Sequence, residues 1–244
     1  MRNQILKLID VSLTLKAGKT RGNKILSILS ALPEKKNIKE KLILDTINME
    51  VKSGEFISII GKNGAGKTSL LRILSGIYKP NSGQVVGNPS RTPLIEFGGV
   101  LEPELSVTEN IYLFGILLGV NIRKIRSLVS SILEWAELDK DANVQVRNLS
   151  TGMTARLGFA IATSFPADIL LVDEVLSVGD IHFAEKAMKR VSELNSNGTA
   201  ILLVTHDLGL VLSQSKRCIW IENGRIKDSG RPSRIVEKYK GKQA

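Results

Sequence analysis

The chain has 244 residues and a formal net charge of +10, with 34 lysines and arginines against 24 aspartates and glutamates. That length suits one large domain or a domain with a subdomain, and an apolar content of 43% provides for a substantial core. The lone cysteine, Cys218, excludes an internal disulfide and points to a reducing compartment, and no apolar run approaches the roughly 20 residues that cross a bilayer.

Met1-Arg2-Asn3-Gln4 leads into strand-like sequence rather than a signal peptide, so a membrane role is expected to require a partner. Residues 4–15 place Ile5, Leu6, Leu8, Val11, Leu13 and Leu15 in the alternation of a strand. Residues 16–41 are basic and punctuated by Gly18, Gly22 and Pro33, which predicts an excursion with a short helix over 25–32. The charge there and at Lys238, Lys240 and Lys242 suits anionic lipid headgroups, nucleic acid or a solvated basic surface. Aromatic residues make up 5% of the chain and none interleaves with these lysines, which argues against base stacking on single strands. Residues 42–51 alternate as a second strand, and Lys52-Ser53-Gly54 turns the chain into the apolar strand 56–60.

Gly61-Lys62-Asn63-Gly64-Ala65-Gly66-Lys67-Thr68 follows that strand, and a helical run starts at Ser69. Strand, G-x-x-x-x-G-K-T and helix together are the context of a phosphate-binding P-loop. Glycines let backbone N–H groups wrap an oxyanion, the helix N-terminus adds partial positive charge, Lys67 reaches the outer phosphates and Thr68 serves Mg²⁺.

Pro80-Asn81-Ser82-Gly83 is a predicted turn, and residues 91–105 are broken by glycine and proline. Helices are predicted over 109–118 and 122–136, the latter with Ile122, Ile125, Val129, Ile132, Leu133 and Ala136 on one face. Residues 95–150 thus read as a helical insertion into an α/β core. A helix over 153–165 ends before Pro166. The apolar strands 169–172 and 200–205 flank a helix over 183–195 and imply a parallel sheet covered on both faces. Residues 217–228 read as a hairpin turning at Asn223-Gly224, with Cys218 a buried, inert thiol in its first strand.

The strand 169–172 ends in Asp173-Glu174. Beside a P-loop, Asp173 suits the Mg²⁺ shell and Glu174 suits polarising the attacking water, although two acids also suit the start of a helix. Thr205-His206-Asp207 ends the next strand, on the edge where α/β ligands bind, so His206 is a candidate γ-phosphate contact; His182 has no such position. Leu149-Ser150-Thr151-Gly152-Met153 precedes a helix and reads either as a plain serine N-cap or as a second anion site completing another subunit's pocket.

The order of these motifs resembles the ATP-binding cassette (ABC) ATPases over nearly the whole chain. The matching parts are the P-loop 61–68, the signature 149–153, the strand 169–174 and the D-loop Ser177-Val178-Gly179-Asp180, followed by the switch His206 and the turn Glu222-Asn223-Gly224-Arg225-Ile226. The resemblance implies an α/β P-loop NTPase fold with a mostly parallel sheet, an antiparallel β-subdomain and a helical subdomain. Residues 1–94 and 151–244 would form the core and 95–150 the helical part. It implies ATP and Mg²⁺ as cofactors. Gly61, Asn63, Gly64, Ala65, Gly66, Lys67, Thr68 and Ser69 would bind nucleotide together with Ser150, Gly152 and Asp180. Thr68, Asp173 and Glu96 would hold the metal, and Glu174 and His206 would be catalytic. It further implies a homodimer and an integral membrane permease as partners, at the cytoplasmic face of a bacterial inner membrane, with residues 95–120 as the docking segment.

Within that family the chain is similar to exporters of O-antigen, capsule and teichoic acid. The signature runs on through Ala155-Arg156-Leu157, the D-loop region continues to Phe183 and Lys186, and Phe97-Gly98-Gly99 leads through Glu102-Pro103-Glu104-Leu105 to Glu109-Asn110-Ile111. A lipid-linked polysaccharide is then the implied indirect substrate, and no nucleic acid is expected. The alternatives are export of another lipid, drug or peptide, a soluble ABC ATPase acting on nucleic acid or ribosomes, and a nucleotide-gated module without turnover. Two departures stand out. Glu96 occupies the Q-loop region where the family has glutamine, and no aromatic precedes Phe56, where the family stacks adenine on a ring near the first strand.

Overall fold

The computed structural model describes residues 3–16, 40–94, 101–165, 167–173 and 181–242. The short helix expected over 25–32 and the segments 95–100 and 174–180 lie outside them.

Among the described residues the strands form two sheets. The first is antiparallel: β1 (Gln4–Lys16) lies between β2 (Glu40–Lys52) and β4 (Ser82–Val86). The second has six strands in the order β5-β6-β7-β3-β8-β9, comprising β5 (Arg91–Leu94), β6 (Ile169–Val172), β7 (Ala200–Val204), β3 (Phe56–Ile60), β8 (Arg217–Glu222) and β9 (Arg225–Gly230). Its pairings are parallel except for the β8–β9 hairpin. β3, β6 and β7 are buried at every position, as strands covered on both faces must be. The hairpin turns at Asn223 (φ 50°) and Gly224 (φ 76°), the left-handed pair that a two-residue type I′ turn needs.

Helices α1 (Lys67–Leu74), α2 (Val107–Leu117), α3 (Ile122–Ala136), α4 (Thr151–Ser164), α5 (Ile181–Ser196), α6 (Leu208–Gln214) and α7 (Pro232–Gly241), with two short 3-10 turns at Asp139–Asp141 and Val146–Asn148, complete the described elements. None is long and apolar enough to cross a membrane. Six of the described elements depart from the sequence reading, the two 3-10 turns among them. β4 begins at Ser82, inside the predicted turn 80–83, and β5 lies in the stretch 91–105 read as irregular. The helices α6 and α7 were not predicted at all.

Local chemistry fixes the helix ends. Ser106 caps α2 in a reciprocal box: its Oγ accepts from Glu109 N–H (3.2 Å), and the Glu109 carboxylate accepts from Ser106 N–H (2.8 Å). That backbone bond, with the Ser106 hydroxyl, holds the Glu109 carboxyl below its ordinary range. Asn121 caps α3, and Asp207 caps α6 by accepting from Gly209 and Leu210.

Helix α4 is the wall between two cores. Leu157, Ala160, Ile161 and Phe165 pack with Ile111, Ile125 and Ile132 of α2 and α3. Phe159 and Ala162 pack instead with Val172, Phe183 and Ile201 over the six-stranded sheet. An aromatic trio ties the two together: Phe159 stacks on Trp135 at 5.1 Å, and Phe183 meets both rings edge-on at 5.9 Å. Lys186 covers the Trp135 ring at 4.9 Å and donates to the Glu137 carboxylate at 2.8 Å.

Candidate functional site

β6, β7 and β3 are adjacent and parallel, with Val172 level with Leu203 and Val204 level with Ile59. Their carboxyl ends therefore meet on one edge, where the chain continues into Asp173, into Thr205-His206 and into Gly61 respectively. This is the edge on which open α/β sheets bind ligands.

The loop after β3 ends at Gly66, which is left-handed (φ 106°) and precedes α1 with no side-chain cap. Its N–H groups at the helix start are therefore available to an anion. A Cβ at Gly64 would meet nothing within 4 Å, so the loop backbone is open to close approach from the cleft. Lys67, only 7% exposed, donates to the carbonyls of Gly61 (2.7 Å) and Lys62 (3.1 Å) and so holds its ammonium inside the loop. Thr68 Oγ1 donates to Asp173 Oδ2 at 3.2 Å, joining the first turn of α1 to the end of β6.

These groups line a cleft of about 380 Å³. Of the sequence-predicted residues, it brings together Asn63, Gly64, Gly66, Lys67, Thr68 and Ser69 with Asp173 and His206. Gly61 and Ala65 lie underneath. Gly61 abuts the Ile221 carbonyl, and the Ala65 carbonyl accepts from Gly224 N–H at 3.1 Å. Ser150 and Gly152 do not line the cleft. Ser150 is the N-cap of α4, accepting from Met153 N–H at 3.3 Å, and a Cβ at Gly152 would meet nothing within 4 Å. Glu174, Asp180 and Glu96 lie outside the described residues.

The sequence reading missed three supports of the site. Lys41 and Ile43 of β2 form part of the cleft wall. The β8–β9 turn clips the loop from behind, since Gly224 donates to Ala65 while its own carbonyl accepts from Asp45 N–H at 2.9 Å. The third is Asp45 itself, which accepts from Arg225 Nε at 2.7 Å; that hydrogen bond, with a second from Thr46, holds its carboxyl below the ordinary range. Only the Asn-Gly turn signal pointed toward these contacts, which join strands far apart in the chain. A second cavity of about 420 Å³ lies on the outer side of the loop, between Lys62–Ala65, Trp220, Tyr239 and Lys242.

The residues fit a nucleoside triphosphate with a divalent cation. An uncapped helix start and a buried lysine suit phosphate, and a hydroxyl beside a carboxylate is an oxygen donor pair of the kind Mg²⁺ takes.

Comparison with known proteins agrees with this geometry. The ABC transporter family matches residues 44–177. The O-antigen export system ATP-binding protein RfbB of Klebsiella pneumoniae is 39% identical over 82% of this chain and 81% of its own length. RfbB of Myxococcus xanthus is 38% identical over 80% of this chain, and the teichoic acids export ATP-binding protein TagH of Listeria innocua is 36% identical over 85%. The matched region spans only 44% and 62% of those two longer proteins. Among solved structures, the dimeric post-hydrolysis ATP-binding cassette MJ0796 bound to ADP and Pi superposes with a TM-score of 0.76. It is 25% identical, over 93% of this chain and 99% of that one. On its fold, its site and these relatives, the chain belongs to the ABC transporter family.

Proposed function

We propose that this chain is the ATP-hydrolysing subunit of an exporter that moves a lipid-linked surface polysaccharide through a separate membrane permease. The Thr68–Asp173 contact inside the P-loop cleft carries the ATPase reading, because it brings a hydroxyl and a carboxylate together next to the Lys67 ammonium. The O-antigen and teichoic acid export functions in the relatives' names support the polysaccharide and favour export over the nucleic-acid alternative.

In this reading the loop N–H groups and Lys67 bind the β- and γ-phosphates. Thr68 and Asp173 hold Mg²⁺, which when bound neutralises phosphate charge. Glu174, next after Asp173, orients and deprotonates the attacking water, and His206 donates a hydrogen bond toward the γ-phosphate. Ser150 and Gly152 act on the partner's nucleotide. Their place at the start of α4, away from the lining of their own cleft, supports head-to-tail pairing. Asp180 and Glu96 belong to the same shell by resemblance, Glu96 in the metal set. Hydrolysis removes the γ-phosphate contacts that join the subunits, so the dimer reopens and drives the permease at the cytoplasmic face of the membrane.

The test is Glu174→Gln. It should keep ATP binding, nearly abolish turnover and accumulate an ATP-bound dimer on size exclusion. Turnover at the wild-type rate would remove Glu174 from the mechanism. Co-purification of the chain from membranes with an integral permease and a lipid-linked glycan tests the transport half.

A further inference from the structure

The P-loop cleft has two dissimilar ends. Lys67, Thr68, Asp173 and His206 gather where β3, β6 and β7 end, and they account for phosphate and metal. Asn63, Gly64, Gly66 and Ser69 of the loop and helix start and Val204 of β7 complete that end, and the other sheet contributes Lys41 and Ile43. The two are separated by one residue of β2, and Ile43 is the extra residue where the β1–β2 register shifts between Leu42 and Leu44. Their backbone is fixed against the loop: a Cβ at Gly66 would stand 3.0 Å from the Ile43 carbonyl and 2.8 Å from Leu44 Cδ2, and one at Gly224 would stand 2.5 Å from the same carbonyl. Two glycines thus let β2 seat directly on the start of α1, and this brings Lys41 and Ile43 to the mouth of the cleft.

A nucleoside base needs a wall there, and among the described residues no ring stands at that end of the cleft. No phenylalanine, tyrosine, tryptophan or histidine occurs in residues 1–55, and among the described residues the one ring in the cleft lining is the His206 imidazole, at the phosphate end. Phe56, the first aromatic, is buried in β3. Ile43 is half-buried and aliphatic; Lys41 is exposed and cationic.

We propose that Lys41 and Ile43 form the base end of the nucleotide site, Ile43 as an apolar shelf and Lys41 as a cation over the base. The site then distinguishes nucleoside triphosphates poorly. Base identity is read by hydrogen bonds to the base edge, and a wall that offers shape alone separates similar ligands weakly. A cation over a π-face favours any purine. The inference rests on the nucleotide reading of the cleft.

The experiment compares ATP, GTP and inorganic tripolyphosphate, each with Mg²⁺, by calorimetry on the full chain. ATP and GTP should bind within about threefold of each other, as expected for a site without base-edge hydrogen bonds. Lys41→Ala changes an exposed side chain and should weaken both nucleotides about two- to tenfold while leaving tripolyphosphate unchanged. Ile43→Phe should tighten both nucleotides about fivefold or more, through stacking, and again leave tripolyphosphate unchanged. A tenfold or greater preference of the wild type for ATP would overturn the proposal, on the same selectivity argument. So would an equal loss for tripolyphosphate in Lys41→Ala, which would make Lys41 a phosphate ligand. If tripolyphosphate binds and the nucleotides gain nothing over it, the base end fails and the phosphate site stands. If none of the three binds, the nucleotide reading fails and takes this proposal with it.

Discussion

Thr68 and Asp173, 105 residues apart in sequence, meet through a 3.2 Å hydrogen bond between the first turn of α1 and the end of β6. The bond exists because β6 lies one strand beyond β7 from β3, so the P-loop and Asp173 emerge on the same sheet edge. If the two side chains share a cation, their effects overlap. Thr68→Val and Asp173→Asn should each weaken Mg²⁺-dependent ATP binding by about 10–100-fold, the scale of a hydrogen bond to a charged group. The double variant should lose less than the product of the two. Calorimetry with and without Mg²⁺ checks this, and the differences should shrink when the metal is withheld.

The Asp45–Arg225 pair fastens β2 to the hairpin that clips the P-loop. The Arg225 hydrogen bond lowers the folded-state pKa of Asp45, so the pair stabilises the fold above the ordinary carboxylate value. That contribution is lost as pH falls through the lowered value. Arg225→Leu should therefore lower the urea midpoint at pH 6, and the gap from wild type should close as pH drops below the ordinary carboxylate range. A gap independent of pH would deny the pair that role.

Burial pushes the Cys218 thiol up to about 12, so at pH 8 it is neutral as well as shielded in β8. A thiol reagent should label it only as fast as the protein unfolds, and adding denaturant should raise labelling and unfolding together. Fast labelling of the native protein would contradict the burial.

Phe159 sits in the aromatic trio that joins the helical core to the sheet. It is 1% exposed, so Phe159→Ala should cost about 3–5 kcal/mol of stability. Lys186→Met, which removes an exposed ion pair and a cation–π contact at the same place, should cost about 1 kcal/mol or less. Chemical denaturation of both variants gives the comparison.

Much of this architecture was legible in the sequence, and the illegible parts share a cause. β3, β6 and β7 announced themselves as uninterrupted apolar runs, and the residues after each run became the cleft. β4 carries no such signal, because four of its five positions are exposed. β5 is four residues long with Pro93 inside it, and among the described strands it is an edge strand. Helix α7 hides Ile235, Val236 and Tyr239 among four charged neighbours, although Pro232 at its first turn is a readable start. The site split in the same way. Motif residues were legible because their chemistry is local, whereas Lys41 and Ile43 joined the cleft only through packing between the two sheets.

The account turns on a nucleotide site completed by a second subunit, and mixing two defective chains tests that directly. Lys67→Ala should not bind ATP, and Ser150→Arg should bind it without forming a dimer. Each alone should elute as a monomer with ATP and Mg²⁺. In a Glu174→Gln background, an equimolar mixture should form a mixed dimer holding one ATP, because one interface then pairs an intact P-loop with an intact signature. If the mixture stays monomeric while Glu174→Gln alone dimerises, the site is not shared between subunits.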